Sequence, residues 1–361
     1  MPDIGSDIDP FAIPPYGLAV REKDALLCRQ LNRLTRHHRQ CCAGYRAILD
    51  ALGRGCEPAF RLEDVPFLPA ALFKLSPLQS VPDYEVVQVL TSSGTSGRAV
   101  SRVALDQRTA ASLTRALVTV VTTFIGKRRL PMVIVDGRES LGGDGAASAS
   151  AAAVRGFVAF GRDHLFLLGA DGQPDWPALE AFLDRHRDET KLVFGFTYMV
   201  WRHLYQAARS AGRRFDLGPG ILIHGGGWKR LQDEAVSNAG FRAVMQDVFD
   251  IAAVHNYYGM VEQVGAVFME CDHGRLHAPV FSDVLIRDPL TLAPVPLGQP
   301  GLIQVMSLLP ESYPGHCLLT EDLGAILGED DCPCGRPGRT FRVDGRLPAA
   351  ELRGCSDTRP L

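Results

Sequence analysis

The run Thr91-Ser92-Ser93-Gly94-Thr95-Ser96-Gly97-Arg98 has the composition of a polyphosphate cradle. Small residues expose backbone N–H groups without obstruction, and their hydroxyls donate to phosphate oxygens. No Lys-Ser or Lys-Thr pair closes the run, so it is not a loop of the G-x-x-x-x-G-K-[ST] type. Four later stretches add chemistry in a definite order. His224-Gly225-Gly226-Gly227-Trp228-Lys229 ends an apolar run, where glycines let a flat ring approach the backbone. Asn256-Tyr257-Tyr258-Gly259-Met260-Val261-Glu262 offers aromatic faces for stacking and a carboxylate able to hold Mg²⁺ against a phosphate. Leu319-Thr320-Glu321-Asp322-Leu323-Gly324 places acidic side chains at a turn, as acceptors for ribose hydroxyls. Phe341-Arg342-Val343-Asp344-Gly345-Arg346 brings arginines that neutralise an α-phosphate or pyrophosphate.

A further group reads as a metal centre. Cys271, His277 and the knuckle Cys332-Pro333-Cys334-Gly335 combine soft thiolates with an imidazole, the donor set of a structural Zn²⁺. His273 is the alternative to His277, and Cys317 is a spare thiol. Cys28, Cys41, Cys42 and Cys56 fall in the helical N-terminal part and are read as structural.

The elements that must position these groups follow from periodicity. Leu26, Leu27, Leu31 and Leu34, then Tyr45, Ile48, Leu49 and Leu52, recur at helical spacing, so residues 1–85 are expected to be mainly helical. Val86, Val87, Val89 and Leu90 precede the Ser/Gly run, and Val100, Val103 and Leu105 follow it, so that loop joins two strands. Helices are expected over 109–124, 176–187 and 199–210. Buried strands are expected over 131–135, 192–196 and 220–224. The Gly/Ala/Ser-rich stretch 142–153 reads as a loop running into a helix. Alternating strands and helices predict an α/β core over 86–282 with a largely parallel sheet. Short strands and tight turns predict a small β-rich subdomain over 283–346, and 347–361 forms a tail carrying Cys355.

Composition narrows the classes. Hydrophobic residues make up 46% and charged residues 22%, which suits a soluble globular protein. A net charge of -3, without a basic stripe interleaved with aromatics, gives no nucleic-acid surface. No segment is long and apolar enough to span a bilayer, and Asp3, Asp7 and Asp9 make a poor signal peptide. Nine unevenly spaced cysteines then read as reduced thiols in the cytoplasm.

Taken in order, the Ser/Gly loop, Tyr-Gly-x-x-Glu, Thr-x-Asp and Gly-Arg motifs resemble the adenylate-forming superfamily. Leu72-Phe73-Lys74, the His-Gly-Gly-Gly-Trp-Lys stretch and the terminal Glu351-Leu352-Arg353-Gly354-Cys355-Ser356 bring the resemblance closest to its acyl-protein synthetases of the LuxE type, from about residue 60 onward. The resemblance implies a large α/β domain of layered sheets and helices, with the superfamily's usual C-terminal subdomain and its catalytic lysine expected to be missing. Ser92, Ser93, Gly94, Thr95, Ser96 and Gly97 would hold the β- and γ-phosphates of ATP. Gly225, Gly226 and Tyr258 would contact adenine, Glu262 would hold Mg²⁺, Asp322 would bind ribose, and Arg346 would bind ribose or phosphate. Lys229 or Lys74 would replace the missing lysine. The reaction implied is attack of a carboxylate, fatty or aryl, on the α-phosphorus of ATP. The acyl group would then pass to Cys355 and on to a partner, an acyl reductase or carrier protein. Rival readings are a ligase delivering directly to CoA or a carrier protein, and a non-catalytic nucleotide-binding scaffold. Phenylacetate-CoA ligase-like relatives show similar cysteine patterns, in line with the zinc reading.

Overall fold

Residues 9–54, 57–92, 100–142 and 147–347 are described by a computed structural model of the chain. Its helices are α1 (Val20–Cys41), α2 (Ala43–Ala51), α3 (Leu72–Leu75), α4 (Gln107–Ile125), α5 (Ala149–Val158) and α6 (Trp176–Arg185). Then α7 (Thr197–Met199) runs through a π-helical stretch, Val200–Gln206, into α8 (Ala207–Ser210), and α9 (Asn238–Phe249) follows. The strands are β1 (Leu68–Pro69), β2 (Val86–Thr91), β3 (Arg102–Asp106), β4 (Leu130–Gly137), β5 (Ala147–Ser148), β6 (Gly161–Leu168), β7 (Leu192–Phe196) and β8 (Ile221–Gly225). They continue as β9 (Ala253–Tyr258), β10 (Phe268–Glu270), β11 (Leu276–His277), β12 (Ser282–Arg287), β13 (Gly301–Ser307), β14 (Cys317–Glu329) and β15 (Arg339–Arg346).

The main sheet runs β12-β13-β14-β15-β11-β10-β9-β8-β7-β4-β6, with β1 beside β14. From β6 to β9 all pairs are parallel; from β9 to β12 all are antiparallel. Parallel strands buried on both faces need nearly continuous apolar runs. Met132-Val133-Ile134-Val135, Leu192-Val193-Phe194 and Leu222-Ile223 supply them. His255 and Asn256 point to opposite faces of β9. Phe124 of α4 packs on His255, while Phe241 of α9 packs on His224, the register partner of Asn256. Helices α4 and α9 therefore cover opposite faces.

The predicted strands form where expected, but three features differ. The expected short strands after Asp283 include the thirteen-residue β14, and they join the main sheet. Strand β6 escaped the periodicity argument because it is a half-exposed edge strand carrying Arg162, Asp163 and His164. Strands β10 and β11 are too short to show any period. A second, three-stranded sheet β3-β2-β5 carries the loop 92–101 at one end. Among the described residues no helix is long and apolar enough to cross a membrane.

Helix α1 buries Leu26, Leu27, Leu31 and Leu34, as its spacing predicts, together with Lys23. Lys23 Nζ donates to Ala278 O at 2.8 Å and lies 3.2 Å from Asp283 Oδ2. Arg339 Nη1 donates to the same Asp283 oxygen at 3.0 Å and to Asp24 Oδ1 at 2.6 Å. The four charges balance, and Ala278 O and Glu329 complete the hydrogen bonding, which is the condition for burying charge. Near the other end of α1, the rings of His38 and His316 stack at 4.9 Å. Ser80 Oγ and Pro310 O lie against His38, and Thr35 Oγ1 lies against His316. Burial holds both imidazoles far below their usual range, His316 down to about 3. Depressed histidines contribute stability above the unfolded pKa, near 6.5, that is lost as pH falls toward the folded values. Each is expected to steepen acid destabilisation by up to about 1.4 kcal/mol per pH unit below that point. A urea midpoint that stays level from pH 7 to pH 5 would contradict this.

Candidate nucleotide site and metal centre

The candidate nucleotide site lies past the C-terminal ends of the parallel strands, where α/β sheets bind ligands. Tyr258, the last residue of β9, donates from its hydroxyl to Asp322 Oδ2 at 2.7 Å. Arg346 Nε donates to Asp322 Oδ1 at 3.1 Å, and the two residues face each other across β14 and β15. Asp322 N–H donates to Thr320 Oγ1 at 3.1 Å, which in turn donates to Ile303 O at 2.8 Å. One carboxylate thus joins three strands of the sheet.

Glu262 sits in the turn after β9 and is buried. Burial raises its carboxyl above the usual range, and the Ser101 hydroxyl, the Lys74 ammonium and the Arg346 guanidinium offset this in part. The turn is bolted in place by Gln263, whose Nε2 donates to Gly315 O at 2.8 Å. A Cβ at Gly315 would come within 2.7 Å of Glu262 O, so glycine is required there. At the base of the Ser/Gly loop, Ser101 N–H donates to Ser92 Oγ at 2.9 Å, and Ser92 N–H donates to Ser101 O at 3.0 Å. Ser92 therefore closes the loop. Ser93, Gly94, Thr95, Ser96 and Gly97 lie outside the described residues, as does Cys355.

The space over Gly225 is filled from within: a Cβ there would meet the Tyr257 ring at 2.4 Å. That ring also packs 5.2 Å from Phe157, so the flat group lying on this glycine is Tyr257. Gly226 is left-handed at φ +76° and Gly227 faces open space. Thr197 Oγ1 sits 2.9 Å from His224 Nδ1 and donates to Gly225 O at 3.2 Å, fixing the start of the glycine stretch. Lys229 opens the short helical turn Lys229–Glu234 beyond it. Lys74, on α3, is half-buried near Glu262.

Cys271, His277, Cys332 and Cys334 are brought together, with their ligand atoms all within 4.8 Å of one another. Cys271 Sγ and Cys332 Sγ are 3.7 Å apart, and Cys334 Sγ and His277 Nε2 are 3.3 Å apart. Zn–S bonds of about 2.3 Å at tetrahedral angles give S···S edges near 3.8 Å, so the spacing suits an ion at the centre. Burial lowers His277 to about 4, with Arg336, Lys23 and Arg275 adding to the effect, which keeps the imidazole neutral as a ligand must be. Arg336 carries a guanidinium over Tyr16, and Tyr16 packs edge-on against His277. The alternative His273 is exposed and outside the cluster, and Cys317 is occupied by Gln304 Nε2 at 3.0 Å.

A family model described as acyl-protein synthetase, LuxE, matches residues 4–359. The chain belongs to that family. As an acyl-protein synthetase it is a ligase. A long-chain-fatty-acid–luciferin-component ligase of Vibrio harveyi is 27% identical over 358 residues, covering 96% of this chain and 90% of that protein. A ligase of the same description from Aliivibrio fischeri is 31% identical over 137 residues, 37% of this chain and 36% of that one. An open conformation of 2-hydroxyisobutyryl-CoA ligase, in complex with 2-HIB-AMP and CoA, superposes with a TM-score of 0.72. It covers 96% of this chain and 79% of that chain at 18% identity, and the fold is that of adenylate-forming enzymes.

Several residues of this LuxE-family site were not singled out from sequence as site residues. Ser101 and Gly315 carry no motif of their own, and only packing against Glu262 marks them. Tyr257 was quoted within a motif, but its packing on Gly225 depends on β8 and β9 being neighbours.

Proposed function

We propose that the chain activates a carboxylic acid with ATP and carries the acyl group on Cys355. The observation that carries this reading is the junction of Tyr258, Asp322, Arg346 and Glu262 beside the closed base of the Ser/Gly loop. Asp322 would take the ribose hydroxyls, Arg346 the ribose or phosphate, and Tyr258, Gly226 and the backbone of Gly225 the adenine side, with the Cβ side of Gly225 already covered by Tyr257. Residues 92–97 would hold the β- and γ-phosphates. Glu262 would hold Mg²⁺, which supplies charge neutralisation at the phosphates when bound. A carboxylate oxygen attacks the α-phosphorus, the bond to pyrophosphate breaks, and acyl-adenylate forms. The nucleophile is already ionised, so positioning and charge neutralisation matter more than a protein base. Lys74, close to Glu262, and Lys229 are the cations proposed to stand in for the superfamily lysine.

In the second step the Cys355 thiolate attacks the acyl carbon and AMP leaves, giving a thioester. Leu347 N–H donates to Glu321 O at 2.9 Å, so the chain leaves the described structure at the mouth of the site. The eight residues from there to Cys355 reach at most about 29 Å, ample for return. We assign activation to residues 86–282 with 283–346, support to 1–85, and acyl carriage to 347–361. The names of the curated relatives, and the buried Phe194, Phe196 and Tyr198, favour a long-chain fatty acid. The final acceptor is proposed to be an acyl reductase or carrier protein, in the cytoplasm.

Intact-protein mass spectrometry after incubation with ATP, Mg²⁺ and fatty acids of graded length tests the reading. One hydroxylamine-labile acyl mass per chain is expected, and its complete absence with every acid would defeat it. Tyr258→Phe should raise the KM for ATP about 10–100-fold in pyrophosphate exchange, since it deletes one hydrogen bond to a charged group. An unchanged KM would remove Tyr258 from the nucleotide site.

A further inference from the structure

We propose that the Cys271, His277, Cys332 and Cys334 centre, loaded with a divalent ion, clips the short β10–β11 seam of the main sheet to the β14–β15 hairpin and thereby sets nucleotide affinity. The inference rests on the nucleotide reading above. It begins from where the sheet is weakest. The parallel half ends at β9 and the long antiparallel strands begin at β15. Between them lie only β10, of three residues, and β11, of two. Pairing across this seam consists of Phe268↔Tyr258 and Met269↔Tyr257 on one side, and Leu276↔Phe341 and His277↔Thr340 on the other. So few pairs give little resistance to slippage by themselves.

Two of the four donors lie within that seam and two in the hairpin beside it. Cys271 follows β10 directly and His277 lies in β11, whereas Cys332 and Cys334 lie in the connection between β14 and β15. Metal–ligand bonds would therefore tie the seam to the hairpin. The nucleotide site is split in the same way. Tyr258 belongs to β9, while Asp322 and Arg346 belong to the hairpin β14–β15. The coupling element is Phe341, one residue after the Thr340 that pairs with His277. Its ring packs edge-on to Phe268 at 5.2 Å and to Tyr258 at 6.1 Å. A slip of β15 by one residue would turn Phe341 to the other face of the sheet, taking the support from under Tyr258. From Thr340 to Arg346 is six residues, about 20 Å of strand. The centre and the site are thus distant but share one pair of strands.

The test uses the full chain, with metal content measured beside each binding experiment. Metal-replete protein and protein stripped by a chelator are each titrated with ATP and Mg²⁺ by calorimetry, and hydrogen exchange is followed by mass spectrometry. Stripping is expected to weaken ATP binding tenfold or more, and returned Zn²⁺ should restore it. Peptides covering 253–258, 317–329 and 339–346 should exchange faster, while 192–196 and 221–225 stay protected. Cys334→Ala should reproduce the stripped protein. ATP affinity preserved within twofold after the metal is gone would overturn the proposal, as would protein that takes up no metal. Exchange that rises equally in β7 and β8 would overturn it in favour of a plain folding role. Metal-replete protein that fails to bind ATP would instead sink the nucleotide reading, and this inference with it.

Discussion

Cys355→Ser protein is expected to support acid-dependent ATP–pyrophosphate exchange at the wild-type rate while carrying no acyl mass. The two steps use different groups, so one substitution separates them. Exchange needs only the reversible attack of the carboxylate on ATP, at the site proposed from Tyr258, Glu262, Asp322 and Arg346, which the substitution leaves unchanged. Acyl carriage needs a nucleophile, and a serine hydroxyl without an adjacent base is a far weaker one than a thiolate favoured by Arg353. The readout is intact mass with and without hydroxylamine, run beside a pyrophosphate assay. Acyl mass surviving on Cys355→Ser would move the acceptor to another residue. If both proteins stay unmodified while exchange continues, delivery goes directly to CoA or a carrier protein.

Glu262→Gln is expected to lower pyrophosphate exchange by about 10²–10³-fold, the usual cost of deleting one electrostatic group at a reacting phosphate. The same substitution should stabilise the protein at alkaline pH. Burial raises the Glu262 carboxyl, with Ser101, Lys74 and Arg346 offsetting it in part. A carboxyl raised in the folded state holds its proton more tightly folded than unfolded. Its contribution to stability is full below the unfolded pKa, near 4.3, and is lost as pH rises through the folded value. Above that value wild type buries a charge that glutamine does not. Glu262→Gln should therefore melt higher than wild type at pH 8, with the gap closing toward pH 4. A variant that melts lower at pH 8 would show that the neighbouring cations outweigh desolvation.

Much of this was legible because period and composition are local properties. Continuous apolar runs marked β4, β7 and β8, and Leu26, Leu27, Leu31 and Leu34 marked α1. The metal donors were legible through residue type, but the choice of His277 over His273 needed the fold. In β11, His277 points inward opposite Met269, whereas His273 lies in the turn before it. Other features depend on which strands are neighbours. Tyr257 lies on Gly225, Gly315 backs Glu262 and Phe341 supports Tyr258, each across tens of residues of intervening chain. Periodicity carries no information about such pairings. The length of β14 was missed for a different reason. Glu321, Asp322, Gly324 and Gly328 break its apolar alternation where the strand passes the site and pairs through bulges.

The ion-pair quartet of buried Lys23, Asp283 and Arg339 with half-buried Asp24 also dictates when the chain can finish folding. Asp24 and Arg339 are 315 residues apart in sequence. At a synthesis rate of roughly 5–20 residues per second, helix α1 emerges roughly 16–63 seconds before its arginine partner exists. Lys23 likewise waits for Asp283, the buried carboxylate it meets, before it has reason to leave water. The first long helix to be made is thus among the last to dock, and a ribosome-bound intermediate should expose its leucine stripe to chaperones throughout that interval.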